Sequence, residues 1–167
     1  MKDKILFLDI DGVLNVIPQG FDEFGAIFHQ HFVDNLKRII DETGAKIVIS
    51  STWRYAGPDE MKLMWEMRDL PGEVIDVTPY FASEEIKELY AENTKQDCRG
   101  YEIQEWLDNH ECESYVILDD DTDMLSRQMN NFVRTSENVD DYDCIDVGYG
   151  LTDRCTEKII KILNKED

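Results

Sequence analysis

The chain opens with Ile5-Leu6-Phe7-Leu8-Asp9-Ile10-Asp11-Gly12-Val13-Leu14-Asn15. An apolar run meets an aspartate, and a second aspartate and a glycine follow. The run is too short for a helix and reads as a buried strand. Asp9 then stands at the strand's carboxyl end, where open α/β sheets place their ligands. Residues two apart in extended chain point to the same side. Two neighbouring carboxylates repel, so they need a cation beside them or one must keep its proton. Gly12 lets the chain turn sharply after the pair. Acidic residues followed by glycine also end strands as plain turn residues, so the pair gains its meaning from what meets it.

Working outward, residues 15–30 read as a loop with Pro18, Gly20 and Gly25 and the aromatics Phe21, Phe24 and Phe28. It either covers the acidic pair or packs its rings on the body. Helical spacing runs over 32–43 and Gly44 is placed to end it. A second buried strand over 45–49 leads into Ser50-Ser51-Thr52-Trp53-Arg54. Pro58 opens a helix to about residue 69, broken by Pro71-Gly72. Residues 74–77 read as a short strand, and Ser83 as the cap of a helix through 90. A polar stretch, 93–100, carries Lys95 and Arg99, and a helix follows over 101–109. The third clear strand, 115–118, runs into Asp119-Asp120-Asp121-Thr122-Asp123. A short helix over 124–129, a strand at 132–133, an acidic loop over 138–143 and a weak strand at 145–147 come next. Thr152 caps a last amphipathic helix. Strands alternate with helices, so the fold class is α/β: a three-layer, Rossmann-like parallel sheet with helices on both faces.

The length of 167 residues suits one domain with a proper core, spanning 1–167. No apolar run approaches a membrane span, and the amino terminus is too short and too soon acidic for a signal peptide. Both point to a cytoplasmic protein with no membrane partner. Cys98, Cys112, Cys144 and Cys155 form no C-x-x-C pair, which argues for reduced thiols rather than a zinc site. The net charge of −20 argues against tight non-specific binding of nucleic acid, because phosphate backbones are held by Lys and Arg. It leaves brief contact with a nucleic-acid end open.

In a parallel sheet the three polar strand ends, Asp9/Asp11, Ser50/Ser51 and Asp119/Asp120/Asp123, lie on one edge. Gathered carboxylates suit a hard cation with oxygen ligands, and magnesium fits best because it binds through a few carboxylates together with substrate phosphate. Hydroxyl and N–H groups at the Ser50-Ser51 turn can donate to phosphate oxygens, and a carboxylate can form an aspartyl-phosphate. Ser50 and Ser51 also read as a helix cap, and Arg99 as the first turn of its helix. Arg54 reads first as a surface cation paired with exposed acids. Trp53, Trp65 and Trp106 read as core residues, and His29, His31 and His110 receive no role.

These motifs resemble the haloacid dehalogenase (HAD)-type phosphohydrolases. Asp9-Ile-Asp11-Gly-Val-Leu is similar to that family's first motif, Ile47-Val-Ile-Ser50 to its second, and 115–123 to its fourth. Asp11-Gly-Val-Leu-Asn15, Ser50-Ser-Thr-Trp-Arg54, Arg99-Gly-Tyr-Glu-Ile-Gln-Glu-Trp-Leu107, Leu118-Asp-Asp-Asp121 and Gly150-Leu-Thr152 together resemble the HAD domain of Swiss army knife RNA-repair proteins. The resemblance implies a magnesium-dependent phosphatase acting through an aspartyl-phosphate. Asp9 would be the nucleophile and Asp11 the general acid–base. Ser50 and Ser51 would bind phosphate, with Arg99 or Lys95 as its cation. Asp9, Asp11, Asp119 and Asp120 would hold Mg2+, Asp11 through its main-chain carbonyl, and Asp123 would stand behind them. Val13 departs from the threonine that many members carry there. The stretches between the motifs leave little room for a separate cap domain, so the expected cleft is open. It would take a phosphorylated substrate, with a nucleic-acid end or a nucleotide among the choices. A phosphotransferase and a non-catalytic magnesium- and phosphate-binding module remain as alternatives, and the oligomeric state stays unassigned.

Overall fold

The computed structural model describes residues 1–92, 98–135 and 150–166. Lys95, Cys144, the acidic loop at 138–143 and the weak strand at 145–147 lie outside the described residues. The central strand β1 (Lys4–Leu8) is followed by a small hairpin, β2 (Phe21–Asp22) and β3 (Gly25–Ala26), and by α1 (Gln30–Thr43). Next come β4 (Lys46–Ile49), α2 (Pro58–Met67), β5 (Val74–Val77), α3 (Glu84–Leu89) and α4 (Arg99–Asn109). The chain continues through β6 (Ser114–Asp119) and β7 (Phe132–Arg134) to α5 (Asp153–Asn164). Short 3-10 turns span Thr52–Ala56 and Ser126–Asn131.

The five main strands pair in the order β5-β4-β1-β6-β7, every pair parallel. The chain builds the sheet to one side of β1 and then to the other. The carboxyl end of β1 is therefore the point where strand order reverses and a crevice opens. Period-two alternation splits the core. Leu6, Leu8, Ile47, Ile49, Val116 and Leu118 pack in one layer with Leu36 of α1, Met64 of α2 and Ile159 of α5. Ile5, Phe7, Val48 and Ile117 pack on the opposite face against Ile103 and Trp106 of α4. The expected three layers, with helices on both faces, are what forms.

The caps follow the local chemistry. The N–H of Gly44 (φ 68°) donates to the Ile40 carbonyl and closes α1. Ser83 Oγ accepts from the Ile86 N–H at 3.3 Å, and Thr152 Oγ1 from the Cys155 N–H at 3.3 Å. The helix α4 borrows its cap. Cys98 offers no side-chain acceptor there, and the Asp123 carboxylate accepts the Arg99 N–H at 2.8 Å. Asp123 thus ties the loop after β6 to the start of α4.

Several readings change, among them the start of α4, which begins at Arg99 and not at residue 101. The 15–30 segment is not only a loop: Asp22 accepts the Phe24 N–H at 2.8 Å, and this Asx turn with Gly25 (φ 118°) bends the chain into the hairpin. The helix α1 starts two residues early, on polar Gln30 and His31, which give no apolar signal. The helix at 124–129 becomes a 3-10 turn from Ser126, because Met124 and Leu125 are buried ahead of it. Arg54 is no surface cation. It is 4% exposed and donates to Glu102 at 2.6 Å, to the Ser51 carbonyl at 2.7 Å and to the Thr78 carbonyl at 3.1 Å. A planar five-donor guanidinium fits such a pocket, and the sequence around it carried no sign of the buried Glu102.

Replacing one member of a buried ion pair leaves the other charge uncompensated. Arg54→Met is expected to lower unfolding free energy by about 3–5 kcal/mol in urea denaturation. A change near zero would mean that the pair does not hold α4 to the Thr52–Ala56 turn.

Candidate active site

Strand pairing runs one residue past β1 and β4 and fixes the first tier of the cleft. The Asp9 N–H donates to the Leu118 carbonyl at 3.0 Å, and the Ser50 N–H to the Leu8 carbonyl at 3.0 Å. Asp9, Ser50 and Asp119 therefore stand in one row at the sheet edge. The cleft above them holds about 210 Å3 and is lined by Asp9, Asp11, Thr52, Arg99 and the acids Asp119, Asp120, Asp121 and Asp123.

Carboxylate oxygens of Asp9, Asp119 and Asp120 all lie within 4.8 Å of one another. Asp120 comes this close because residue 12 has no side chain. A Cβ on Gly12 (φ 82°) would fall 2.2 Å from Asp120 Oδ2. The turn itself is closed by the Gly12 N–H to the Asn15 carbonyl at 2.8 Å and pinned by Thr135 Oγ1, which donates to the Gly12 carbonyl at 2.8 Å.

Crowding these acids away from water sets their protonation. Burial pushes the Asp9 carboxyl up to about 7, with a further push from Asp120, while the Ile10 N–H and Arg99 pull it down. Burial, and then the charge of Asp9, holds Asp119 well above the usual carboxylate range. A dication among them would remove the penalty on both. The donor set is all oxygen, which fits a hard ion such as magnesium.

Asp11 stands apart from this trio. Both of its carboxylate oxygens accept hydrogen bonds, Oδ1 from Asn15 Nδ2 at 2.9 Å and Oδ2 from Trp53 Nε1 at 3.0 Å. Trp53 is thus more than a core ring. It packs beside Phe28 (ring centroids 5.6 Å), under Arg68, and against Gly25 of the hairpin. Asn15 and Trp53 both fall inside segments whose spacing suggested the family, yet an indole bond to a residue 42 positions away leaves no local periodic signal.

Ser50 Oγ is fully buried and, among the described residues, has no hydrogen-bond partner; the same holds for Arg99 Nη1. Buried donors without acceptors are costly and mark places where a ligand is expected to supply the acceptor. Ser51 is used differently: its Oγ accepts the Trp53 N–H at 3.2 Å and caps the 3-10 turn. Arg99 is held by Glu102, whose Oε1 lies 3.9 Å from Arg99 Nε while Oε2 takes Arg54. Glu102 is a positioning residue that the sequence reading passed over, although its i, i+3 spacing from Arg99 on a helix was a signal.

Among the described residues no helix is long and apolar enough to cross a membrane. No curated protein matches the chain, and no solved structure does. A family model does match, over residues 5–140, a span that takes in the acidic pair, the Ser50 turn, Arg99 and the acids after β6. The chain belongs to the family described as the HAD domain in Swiss Army Knife RNA repair proteins.

Proposed function

We propose that the protein is a phosphohydrolase that cleaves phosphomonoesters through an aspartyl-phosphate formed on Asp9. The observation that carries this reading is the pairing of three converging carboxylates with two buried donors, Ser50 Oγ and Arg99 Nη1, that have no partner among the described residues. Donors of that kind suit the equatorial oxygens of a transferring phosphoryl group. Family membership supports phosphatase-type chemistry.

In the proposed cycle an Asp9 oxygen attacks phosphorus, a P–O bond forms, and the bond to the leaving oxygen breaks. Asp11 gives that oxygen its proton, so the product leaves as an alcohol. Asp11, now ionised, takes a proton from water as the water oxygen attacks the phosphorus of the acyl phosphate. Inorganic phosphate departs and Asp9 is restored. Ser50 and Arg99 hold the phosphoryl oxygens in both steps. Asn15 and Trp53 keep Asp11 turned toward the leaving oxygen. A magnesium ion held by Asp9, Asp119 and Asp120, with the Asp11 carbonyl, would neutralise phosphoryl charge and keep Asp9 ionised. Glu102, itself fixed by buried Arg54, keeps Arg99 at the cleft.

Three outcomes test the reading. Asp9→Asn should abolish magnesium-dependent phosphate release from p-nitrophenyl phosphate and from 5′- or 3′-phosphorylated oligonucleotides; equal activity in the variant removes Asp9 as nucleophile. Metal ligands must shed their protons. Magnesium affinity measured by calorimetry should therefore rise steeply with pH up to about 7, where Asp9 loses its proton, and proton uptake by the buffer should be detectable. An affinity flat from pH 5.5 to 8 would count against these carboxylates as ligands. Trp53→Phe keeps the ring but removes the N–H bond to Asp11. It should lower kcat about 10-fold, a fraction of the roughly 100- to 10,000-fold that a positioned general acid–base supplies because Asp11 itself remains, and change the shape of the pH–rate profile with little effect on KM. A variant with unchanged kcat would show that the indole bond is only structural.

A further inference from the structure

The phosphoryl cleft has a neighbour. A second cavity of about 160 Å3 shares the walls Thr52 and Arg99 with it, and its other walls include Tyr80, Phe81, Tyr101 and buried Arg54. The two spaces therefore meet at Arg99, the residue whose Nη1 is buried and lacks a partner among the described residues. The second cavity is aromatic on one side. Tyr80 lies under the Arg54 guanidinium (4.8 Å to the ring centroid), with Tyr55 at 4.5 Å and Phe81 at 5.1 Å between ring centroids. Phe81 is 69% exposed and Tyr55 is 75% exposed. Tyr55, Tyr80 and Phe81 adjoin one another, and a contiguous aromatic patch, unlike a single exposed ring, marks an interaction surface.

We infer that this cavity is a base-binding subsite, in which the nucleobase of a nucleotide stacks on Phe81, with Tyr80 set edge-to-face beside it (interplanar angle 74°), while its phosphate occupies the Asp9 cleft. The inference rests on the phosphohydrolase reading for the phosphate end and adds the recognition of the leaving group. Three features favour a nucleotide. Phe81 and Tyr80 line the second cavity and are not among the walls of the Asp9 cleft, so a ligand that fills both spaces needs a spacer between phosphate and ring, which ribose provides in a nucleotide and a direct aryl ester lacks. Stacking accepts any base because every base has a π face. A chain of net charge −20 cannot follow a long phosphate backbone, and stacking next to one anchored phosphate asks for no further cations. The shared chemistry is one nucleotide unit, either free or at the end of a single strand.

The test reads binding, so that it does not depend on turnover. In Asp9→Asn protein with magnesium, titration calorimetry compares adenosine 5′-monophosphate with ribose 5-phosphate, which lacks the base. Stacking on one aromatic side chain is worth roughly 5- to 150-fold in affinity, and a preference of that size for the nucleotide is expected. Phe81→Ala in the same background should bring the ratio to about one, and Phe81→Trp should keep it. Phe81 is exposed, so neither change threatens the fold. Equal affinity for the two ligands, no binding of either, or tighter binding of phosphotyrosine than of the nucleotide overturns the subsite. A 5′-phosphorylated tetranucleotide that binds at least as tightly as the mononucleotide assigns a strand end; its exclusion assigns a free nucleotide. Failure of wild-type protein to release phosphate from any substrate overturns the phosphohydrolase reading alone, because the base preference is measured without turnover.

Discussion

Mutual repulsion among Asp9, Asp119 and Asp120 is the constraint around which the molecule is arranged. Three acids with oxygens within 4.8 Å of one another, two of them buried, cannot all be charged without compensation. The backbone forces the encounter. β1 and β6 are adjacent and parallel, so Asp9 and Asp119 leave the sheet side by side, and the bare Gly12 turn admits Asp120 from above. The energy for holding them together comes from elsewhere in the fold, chiefly the two apolar layers that lock β1 from both faces. Such stored electrostatic strain is typical of sites whose ligand carries the missing charge.

Cations are used sparingly in so acidic a chain, and each of the site's two arginines has its own task. Arg54 is spent inside, fixing Glu102 and the backbone at Ser51 and Thr78. Arg99 stands at the cleft with one nitrogen unsatisfied among the described residues. Glu102 connects the two and lies between 2.6 and 3.9 Å from them. Burial raises its carboxyl above the ordinary range, against the pull of Arg54 and Arg99. The result is a mount in which the cleft-facing arginine is placed by largely buried charges that are screened only weakly.

The sequence made the sheet readable because its strands are short apolar runs closed by polar residues. Ile5–Leu8, Ile47–Ile49 and Val116–Leu118 each end in side chains that point to one edge, and parallel pairing needed only the alternation with helices. Helix caps at Gly44, Ser83 and Thr152 were equally local and equally clear. What stayed hidden depends on contacts between distant segments. The bond from Trp53 to Asp11, the burial of Arg54 on Glu102 and the loan of Asp123 to the start of α4 span 42, 48 and 24 positions. None of them leaves a periodic trace. The hairpin at 21–26 was missed because its strands are two residues each, too short for alternation to register.

The Gly12 turn is also stitched to segments far along the chain. Thr135 Oγ1 holds the Gly12 carbonyl, the Leu151 N–H holds the Val13 carbonyl, and α5 packs Ile159, Ile160 and Leu163 into the layer beneath β1. The geometry of the opening motif thus depends on segments more than a hundred residues away. A loosened α5 would therefore be felt at the Gly12 turn, although no residue of α5 stands among the walls of the cleft.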